Sequence, residues 1–290
     1  MIMREITEAH KNSIETVRMR CNHALSSHAF TSLYLWQKNM GLSVICEEDF
    51  FVVKSTMGNG DFHFFPCGNN EKIERFIRLK MADKTFSLGY LRECDKKWLE
   101  ERFPDMWEFR RAEDADEYIG DISEYLALDG SKFSEIRRKI KKIDREHEIT
   151  VQPITEQTLS DAMSVVKNWN CYARSEGTNQ LSDDFVAETA LSNMELLDIS
   201  GIVLYCDSTP AAVFAGFPLS PDTVDVLIGK TTADAPKGIV YYGLHAYLKT
   251  CADTYTYCNH EEDLGIPGIR QVKQSLGPIY KNEIWEAAIK

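Results

Sequence analysis

The sequence predicts two similar mixed α/β domains in tandem, and three observations support this fold class. The chain has 290 residues, about twice the length of an average domain. Its hydrophobic content of 43%, with 14 Phe and 12 Tyr, is sufficient for sizeable cores. One order of elements, a hairpin followed by a strand, a helix and a strand, occurs in each half. This repeat favours two similar sheets over one large sheet.

The first copy of the repeat lies between residues 42 and 91. Two short segments rich in β-branched and aromatic residues, 42–46 and 50–55, flank an acidic turn and predict a hairpin. A third strand is predicted at 61–66. Apolar residues at helical spacing predict a helix at about 71–81, and a strand at 85–91 completes the copy.

The second copy has the same order with negligible sequence identity to the first. The strands predicted at 202–206 and 211–217 flank a turn that contains Asp, Ser, Thr and Pro. A third strand is predicted at 222–229, a helix at 239–251 and a last strand at 254–258. Helical sequence precedes both copies.

A basic helix is predicted between the two copies. Residues 116–147 have a helical pattern on either side of Asp129–Gly130, and an apolar stripe of Phe133, Ile136, Ile140 and Ile143 predicts the buried face. We expect a domain boundary after this helix, with an N-terminal domain at 1–147 and a C-terminal domain at 148–290.

The polar face of this helix is strongly basic. Residues 130–145 contain seven basic and two acidic side chains, in a chain of net charge −12. A solvated amphipathic helix would explain the pattern, but the contrast with the overall charge favours a face that docks an anion, such as phosphate, a nucleic-acid backbone or a lipid head group. We expect Arg137, Lys141 and Arg145 to face outwards. The predicted anion-binding residues are Lys132, Arg137, Arg138, Lys141, Lys142 and Arg145.

Composition and missing motifs exclude several classes. The negative net charge disfavours a broad nucleic-acid or anionic-membrane surface. The N-terminus lacks the apolar core of a signal peptide, and no apolar run reaches the roughly 18 residues of a spanning helix. The 8 cysteines form no CxxC pair, so we expect reduced thiols, no metal site and a cytoplasmic protein. P-loop, GxGxxG, HExxH and GxSxG motifs are absent from the sequence.

The C-terminal run 254–278 is the candidate site. A predicted strand leads into Asn259, His260, Glu261, Glu262 and Asp263, and a short helix after Pro267 ends at Gly277–Pro278. Crowded carboxylates beside a histidine cost electrostatic energy that a simple turn avoids. Arg270 and Lys273 share a face of the short helix because they lie three residues apart. A solvated acidic loop followed by a surface helix explains the same run equally well.

Several blocks resemble the bacterial phosphatidylglycerol lysyltransferase C-terminal domain family, including its stand-alone members of unknown function. The resemblance covers nearly the whole chain, and its most specific part is NHEEDLGIPGIRQVKQSLGPIY, which is close to a family pattern of NREEDLG, GLR, K and P. The blocks that carry it are Phe30–Gln37, His63–Gly68, Glu124–Ile143 and Asn259–Tyr280.

The family pattern can be compared with this chain residue by residue. Two groups of residues match the family pattern: Asn259, Glu261, Glu262, Asp263, Gly265, Gly268, Arg270, Lys273 and Pro278, and Lys132, Phe133, Arg137 and Ile140. At four positions the chain departs from that pattern: His260 replaces Arg, Arg138 and Lys141 replace Asn, and Gly229 before Lys230 replaces Glu.

The resemblance implies two tandem domains of the GNAT acyltransferase type and a relation to the Fem transferases, which use aminoacyl-tRNA. It implies transfer of an aminoacyl group from tRNA, as co-substrate without a further cofactor, to a lipid, peptide or small-molecule acceptor. On this basis His260, with a reference pKa that suits a general base, Glu261 and Asp263 are expected to be catalytic. The residues expected to bind substrate are Asn259, Glu262, Arg270, Lys273, Lys230 and Tyr241.

Two alternatives remain open at the level of sequence. An acyl-CoA N-acyltransferase of the same fold would bind pyrophosphate with an (R/Q)xxGx(G/A) loop. Here Asp234 and Val240 replace the first and last residues of that motif, and only Gly238 matches. A non-catalytic binding module is the second alternative, because the His260 and Gly229 departures affect the candidate site. The sequence does not determine the amino acid, the acceptor or the oligomeric state.

Overall fold

The computed structural model describes residues 2–57, 60–175 and 184–290. The chain forms two compact units, which are described separately. The first unit contains Met1–Glu117, Glu262–Ile269 and Lys281–Lys290, and the second contains Tyr118–Glu261 and Arg270–Tyr280.

The first unit is a mixed sheet with helices. Its helices are α1 (Lys11–Arg20), α2 (Phe30–Met40), α3 (Asn70–Lys80) and α4 (Glu93–Arg102). Its strands are β1 (Ser43–Glu47), β2 (Phe50–Ser55), β3 (Asp61–Phe64), β4 (Cys67–Gly68), β5 (Phe86–Leu91), β6 (Trp107–Arg111) and the C-terminal strand, Trp285–Ile289.

Strand order in the first sheet is β1-β2-β3-β5, followed by the C-terminal strand and then β6, with β4 on β2. The hairpin β1–β2 is antiparallel, whereas β3 and β5 are parallel and α3 connects them. Parallel neighbours require such a crossover. The core of this unit contains Phe50, Phe76, Leu88 and Trp107.

The second unit repeats this architecture. Its strands are β7 (Glu117–Asp121), β8 (Ile149–Pro153), β9 (Ser200–Cys206), β10 (Thr209–Ser220), β11 (Thr223–Thr231), β12 (Tyr257–Asn259) and β13 (Tyr280–Asn282), so the C-terminal strand is β14. Its helices are α5 (Ile122–Ala127), α6 (Ser134–Glu146), α7 (Leu159–Ser175), α8 (Asp184–Ser192) and α9 (Ile239–Cys251), and α10 (Pro267–Ser275) precedes β13.

Strand order in the second sheet is β13-β7-β12-β11-β10-β9-β8. The hairpin β9–β10 is antiparallel, and β11 and β12 are parallel with α9 between them in the chain. The predicted hairpin, strand, helix and strand are therefore confirmed in both copies, and so is the mixed α/β class. The helix predicted at 239–251 has the predicted limits.

The compact units divide the chain at a different place from the expected boundary at 147/148. Strand β7 pairs with β12, and residues 118–147 belong to the second unit. Strand β14 pairs with β5 and β6 in the first unit. A sequence repeat does not reveal which sheet an outer strand joins, because that choice depends on pairing between residues far apart in the chain.

Helix α6 packs in the core of the second unit. Phe133, Ile136 and Ile143 are at most 3% exposed, and Ile140 packs against the same cluster. The predicted apolar stripe is therefore confirmed. In the described residues no helix is both long enough and apolar enough to cross a membrane.

Candidate functional site

The loop after β12 has an unusual backbone. Glu261 and Leu264 have positive φ angles of 57° and 53°. A residue with a Cβ adopts this conformation at a cost of roughly 1–2 kcal/mol. Buried Asn259 helps to hold the first turn, because its Oδ1 accepts a hydrogen bond of 2.8 Å from the backbone N–H of Glu261. Strained backbone clusters at functional sites, which supports this loop as a candidate.

His260 lies in the interior of the second unit. The residue is 6% exposed, its Nε2 lies 3.3 Å from Cys258 Sγ, and its backbone N–H donates to Tyr118 O at 2.9 Å. Burial, and then the charge of Lys273, lowers its pKa to about 3. The imidazole is therefore neutral near pH 7, and it is a much weaker base than an ordinary histidine.

Helix α10 provides the cationic residues that the sequence predicts. Arg270 and Lys273 are both half-buried members of the second unit, where the charge of Lys273 acts on His260. The structure therefore brings Lys273 and His260 together. Gly277, with φ of 70°, follows the helix and explains its predicted end.

In the first unit, the charge of Glu262 acts on a second carboxylate, that of Glu117, and the sequence did not predict this pair. Glu117 is 2% exposed, and its Oε1 accepts hydrogen bonds from the backbone N–H and the hydroxyl of Ser26, both at 2.7 Å. Burial raises the pKa of Glu117, hydrogen bonds from Asn282 and Ser26 oppose this effect, and the charge of Glu262 raises the pKa further. Repulsion between two carboxylates decreases when a cation binds beside them.

Tyr90 belongs to the same electrostatic cluster. Burial raises the pKa of its hydroxyl, and the charges of Glu262 and Glu117 raise it further. Its φ of 52° is again strained for a residue with a side chain. The sequence signals for this cluster are weak: Glu117 lies in an acidic stretch and Tyr90 lies near the end of a predicted strand. Only the fold brings them to Glu262.

Asp263 shapes the turn that follows. It is fully buried, and its Oδ1 accepts a hydrogen bond of 2.9 Å from the backbone N–H of Gly265, whose φ is 72°. Its backbone oxygen also accepts from Ile266 at 2.9 Å. These contacts give Asp263 a structural part in the first unit, and its role in catalysis stays a prediction.

The polar face of α6 forms an open concavity of about 530 Å³. Its lining residues are Ser134, Arg137, Arg138, Lys141, Lys142 and Arg145. Lys141 and Arg145 are exposed, as predicted. Arg137 is half-buried, contrary to the prediction, because its guanidinium donates to the backbone oxygens of Leu128 and Gly130 beyond the end of α5.

The cations of this face differ in how they are neutralised. Lys132 pairs with Glu124 at 2.5 Å, while Lys142 and Arg145 lie 3.6 Å and 2.7 Å from Glu146. Within the described parts of the chain, Arg138 and Lys141 have no carboxylate oxygen within 4.0 Å. These two side chains are therefore the most available to an external anion.

Comparison with known proteins decides the family. The model of the phosphatidylglycerol lysyltransferase C-terminal domain matches residues 18–287. The chain belongs to this family. No curated protein matches the sequence.

Solved structures agree on the fold. A conserved protein of unknown function from Bacteroides thetaiotaomicron has a TM-score of 0.90 and 23% identity, with both chains covered completely. The C-terminal domain of a putative lysylphosphatidylglycerol synthetase from Agrobacterium fabrum has a TM-score of 0.67 and 13% identity, over 97% of this chain and 92% of that one. A tandem GNAT protein from the clavulanic acid biosynthesis pathway has a TM-score of 0.50 and 6% identity, over 99% and 98%. The fold is therefore a tandem GNAT-like fold, as the resemblance implied.

The two remaining predicted substrate residues of this family member each have a cation–aromatic contact. Lys230 Nζ lies 5.3 Å from the ring centroid of Trp169, and Lys139 Nζ lies 4.5 Å from that of Tyr241. The structure thus places Tyr241 beside the basic helix α6. Substrate binding by Lys230 and Tyr241 stays a prediction.

The start of α9 is the place where the resemblance implies the pyrophosphate loop of an acyl-CoA enzyme. Gly238 precedes the helix with a φ of 105°, and an ideal Cβ on it would lie 3.0 Å from Lys139 Cβ. Helix α6 therefore packs directly on this turn. The backbone N–H of Ile239 already donates to Pro236 O at 3.0 Å, which reduces the donors available to a phosphate.

Proposed function

We propose that this protein is an aminoacyltransferase that moves an aminoacyl group from aminoacyl-tRNA to a lipid, peptide or small-molecule acceptor. The observation that carries the proposal is the match to the lysyltransferase family over residues 18–287. The fold supports acyl transfer more generally, since its structural neighbours include a tandem GNAT protein.

The reaction needs little covalent chemistry from the protein. The acceptor hydroxyl or amine attacks the ester carbonyl of aminoacyl-tRNA, a new C–O or C–N bond forms, and the bond to the terminal ribose oxygen breaks. That ribose oxygen leaves with the proton that the acceptor loses. Orientation and stabilisation of the developing oxyanion supply most of the acceleration in such a transfer.

The structure suggests a role for His260 other than the general base. A neutral imidazole whose pKa is about 3 gains little by accepting a proton near neutral pH. We assign proton acceptance to the departing ribose oxygen, and to His260 the orientation of the loop through its contacts with Cys258 and Tyr118.

The carboxylates of the first unit suit the ammonium group of the aminoacyl substrate. The charge of Glu262 raises the pKa of Glu117, so a bound cation would relieve the repulsion between the two carboxylates. Glu117 is already fixed by Ser26 and Asn282. This rigidity reduces the entropy lost when the ligand binds. Asp263 is a further acidic candidate of the same unit.

The basic face of α6 suits the phosphates of tRNA. Arg138 and Lys141 are exposed in a chain of net charge −12, so this face is a local exception to the overall potential. A duplex or single strand of RNA would release counterions on binding such a face.

Acyl-CoA is a less suitable donor for this chain. Asp234 and Val240 depart from the pyrophosphate motif, and Lys139 packs on Gly238 at the start of α9. We therefore expect weak binding or none when acetyl-CoA is titrated calorimetrically. Micromolar affinity for acetyl-CoA would favour the acyl-CoA alternative.

The test is transfer of radiolabelled amino acids from a mixed pool of aminoacyl-tRNAs. Label is followed from acid-precipitable RNA into phospholipid vesicles and into peptide fractions. Glu262→Gln should reduce transfer by roughly tenfold or more, if loss of one charge contact costs about 1.4 kcal/mol or more. Glu283→Gln is the matched control, because Glu283 belongs to the same unit and its side chain is 60% exposed.

Each outcome supports one of the three candidate functions. Transfer that is lost in Glu262→Gln and retained in Glu283→Gln supports the proposal. Turnover of acetyl-CoA without use of aminoacyl-tRNA overturns it in favour of the acyl-CoA enzyme. Binding of aminoacyl-tRNA without any loss of its ester overturns the catalytic proposal and favours a binding module.

A further inference from the structure

A cluster of three side chains that can bind a metal lies apart from the loop after β12. His147 follows the last residue of α6, while Cys206 ends β9 and Asp207 begins the turn to β10. Strands β8 and β9 pair with Ile149 opposite Cys206, and the backbone N–H of Asp207 donates to Glu148 O at 2.9 Å. Sheet pairing therefore holds the end of α6 beside this turn.

The three ligand atoms have a separation that suits one small cation. His147 Nδ1 lies 2.9 Å from Asp207 Oδ2, and Cys206 Sγ lies 3.7 Å from the same oxygen. All three atoms lie within 4.8 Å of one another. Ligands of a tetrahedral zinc ion, with bonds of about 2.0–2.3 Å, are separated by roughly 3.2–3.8 Å. Small side-chain movements would convert one arrangement into the other.

The ligand types also agree with zinc. One thiolate and one carboxylate neutralise a divalent cation, and the neutral imidazole adds no charge, so the filled site has a net charge of zero. This balance matters because Cys206 is only 8% exposed. Thiolate and imidazole select zinc and its transition-metal neighbours over magnesium or calcium, which prefer oxygen ligands.

Outer contacts orient the carboxylate. Asp207 Oδ1 accepts a hydrogen bond of 2.9 Å from the backbone N–H of Glu148, which directs Oδ2 towards His147 and Cys206. Hydrogen bonds from neighbouring groups to a metal-ligating side chain raise metal affinity. The side chain of Asp207 is 59% exposed, so water has access to a fourth position.

We propose that His147, Cys206 and Asp207 form a zinc-class site with three protein ligands and one open position. On binding, the Cys206 thiol loses its proton to solvent, and the imidazole keeps its hydrogen on Nε2 so that Nδ1 binds the metal. No change of oxidation state is involved. The bound ion fixes the end of the basic helix α6 to the β9–β10 turn. The proposal differs from the expectation from sequence, which was no metal site, because His147 and Cys206 are 59 residues apart and form no recognisable motif.

The test is titration of the chelator-treated full chain with Co²⁺, followed by competition with Zn²⁺. Tetrahedral Co²⁺ with a thiolate ligand gives visible d–d bands and a near-ultraviolet charge-transfer band. We expect both bands in the wild type and displacement by Zn²⁺. Cys206→Ser should remove the charge-transfer band, and Asp207→Asn should weaken Co²⁺ binding by at least the ~10-fold that loss of an outer-shell partner costs.

Cys94→Ser is the matched control. Cys94 Sγ also lies near the carboxylate of the next residue, 3.8 Å from Asp95 Oδ1, but that carboxylate pairs with Arg92. This variant should keep the wild-type spectrum. Absence of a thiolate band in the wild type, or an unchanged band in Cys206→Ser, would overturn the proposal. Circular dichroism shows whether each variant is folded, and Asp207→Asn provides the test if Cys206→Ser is not.

Discussion

Reversal of two charges on α6 tests whether this helix binds RNA. In the double variant Arg138→Glu, Lys141→Glu, both changed side chains are exposed, and neither has a carboxylate within 4.0 Å in the described structure. Arg137 is left unchanged because its guanidinium donates to Leu128 and Gly130. The variant therefore alters the external charge of the face without removing an internal contact.

The size of the effect follows from counterion release. Each lost phosphate contact reduces the slope of log K against log salt concentration by about 0.7–0.9, so two contacts reduce it by about 1.4–1.8. Between 50 and 200 mM salt, the same two contacts account for a roughly tenfold change in affinity. Stability should change by about 0.5 kcal/mol or less, because exposed charges contribute little to folding.

The assay is fluorescence anisotropy of labelled tRNA at four salt concentrations. Lys84→Glu, Lys167→Glu is the control, because both lysines are exposed and the change in net charge is the same. The control should retain most of the wild-type slope, apart from a small effect of net charge. Equal slopes for the two double variants would show that net charge alone governs binding, and the reasoning about α6 would then be wrong.

Three further expectations concern the loop and its surroundings. Gly120→Ala should destabilise the protein by about 1–3 kcal/mol, since its Cβ would lie 3.2 Å from His260 Nε2. Gly268→Ala meets nothing within 4 Å and should be neutral or stabilising in urea denaturation, so equal losses would contradict this argument. Asn259→Ala should cost about 1–3 kcal/mol because the backbone N–H of Glu261 loses its acceptor; an unchanged melting temperature would exclude this role. His260, whose pKa falls from 6.5 to about 3 on folding, stabilises the protein above pH 6.5 and loses that contribution on acidification towards pH 3. His260→Asn should reduce the slope of stability against pH in this window, by up to ~1.4 kcal/mol per pH unit.

Local patterns predicted most elements of the fold. The apolar spacing of 239–251 gave the limits of α9, and the stripe on α6 predicted its buried face. Local patterns did not predict which sheet the outer strands β7 and β14 join. β7 pairs with β12, and β14 pairs with β5, through residues that are far apart in the chain. The sequence of a short apolar strand does not specify its pairing partner.

The candidate site was predicted only in part, for the same reason. The run 259–263 could be recognised because acidic residues crowd beside a histidine within a few positions. Glu117 and Tyr90 join Glu262 only through the fold, and the low pKa of His260 depends on burial that no motif reveals. The loop could be recognised from the sequence because its acidic residues and its histidine are neighbours in the chain. Its electrostatics depend on residues that are close in space but distant in the chain.

The basic helix connects these observations. Arg138 and Lys141 occupy positions where the resemblance implies Asn, and they are the exposed cations of α6 that have no carboxylate oxygen within 4.0 Å in the described structure. Neighbouring cations are compensated, as Lys132 is by Glu124 and Arg145 is by Glu146. Two neighbouring cations on one helix face repel each other, and a bound anion removes that repulsion and lowers the energy of the complex. This difference favours binding, and it explains why the proposal for tRNA depends on these two residues more than on the total charge of the helix.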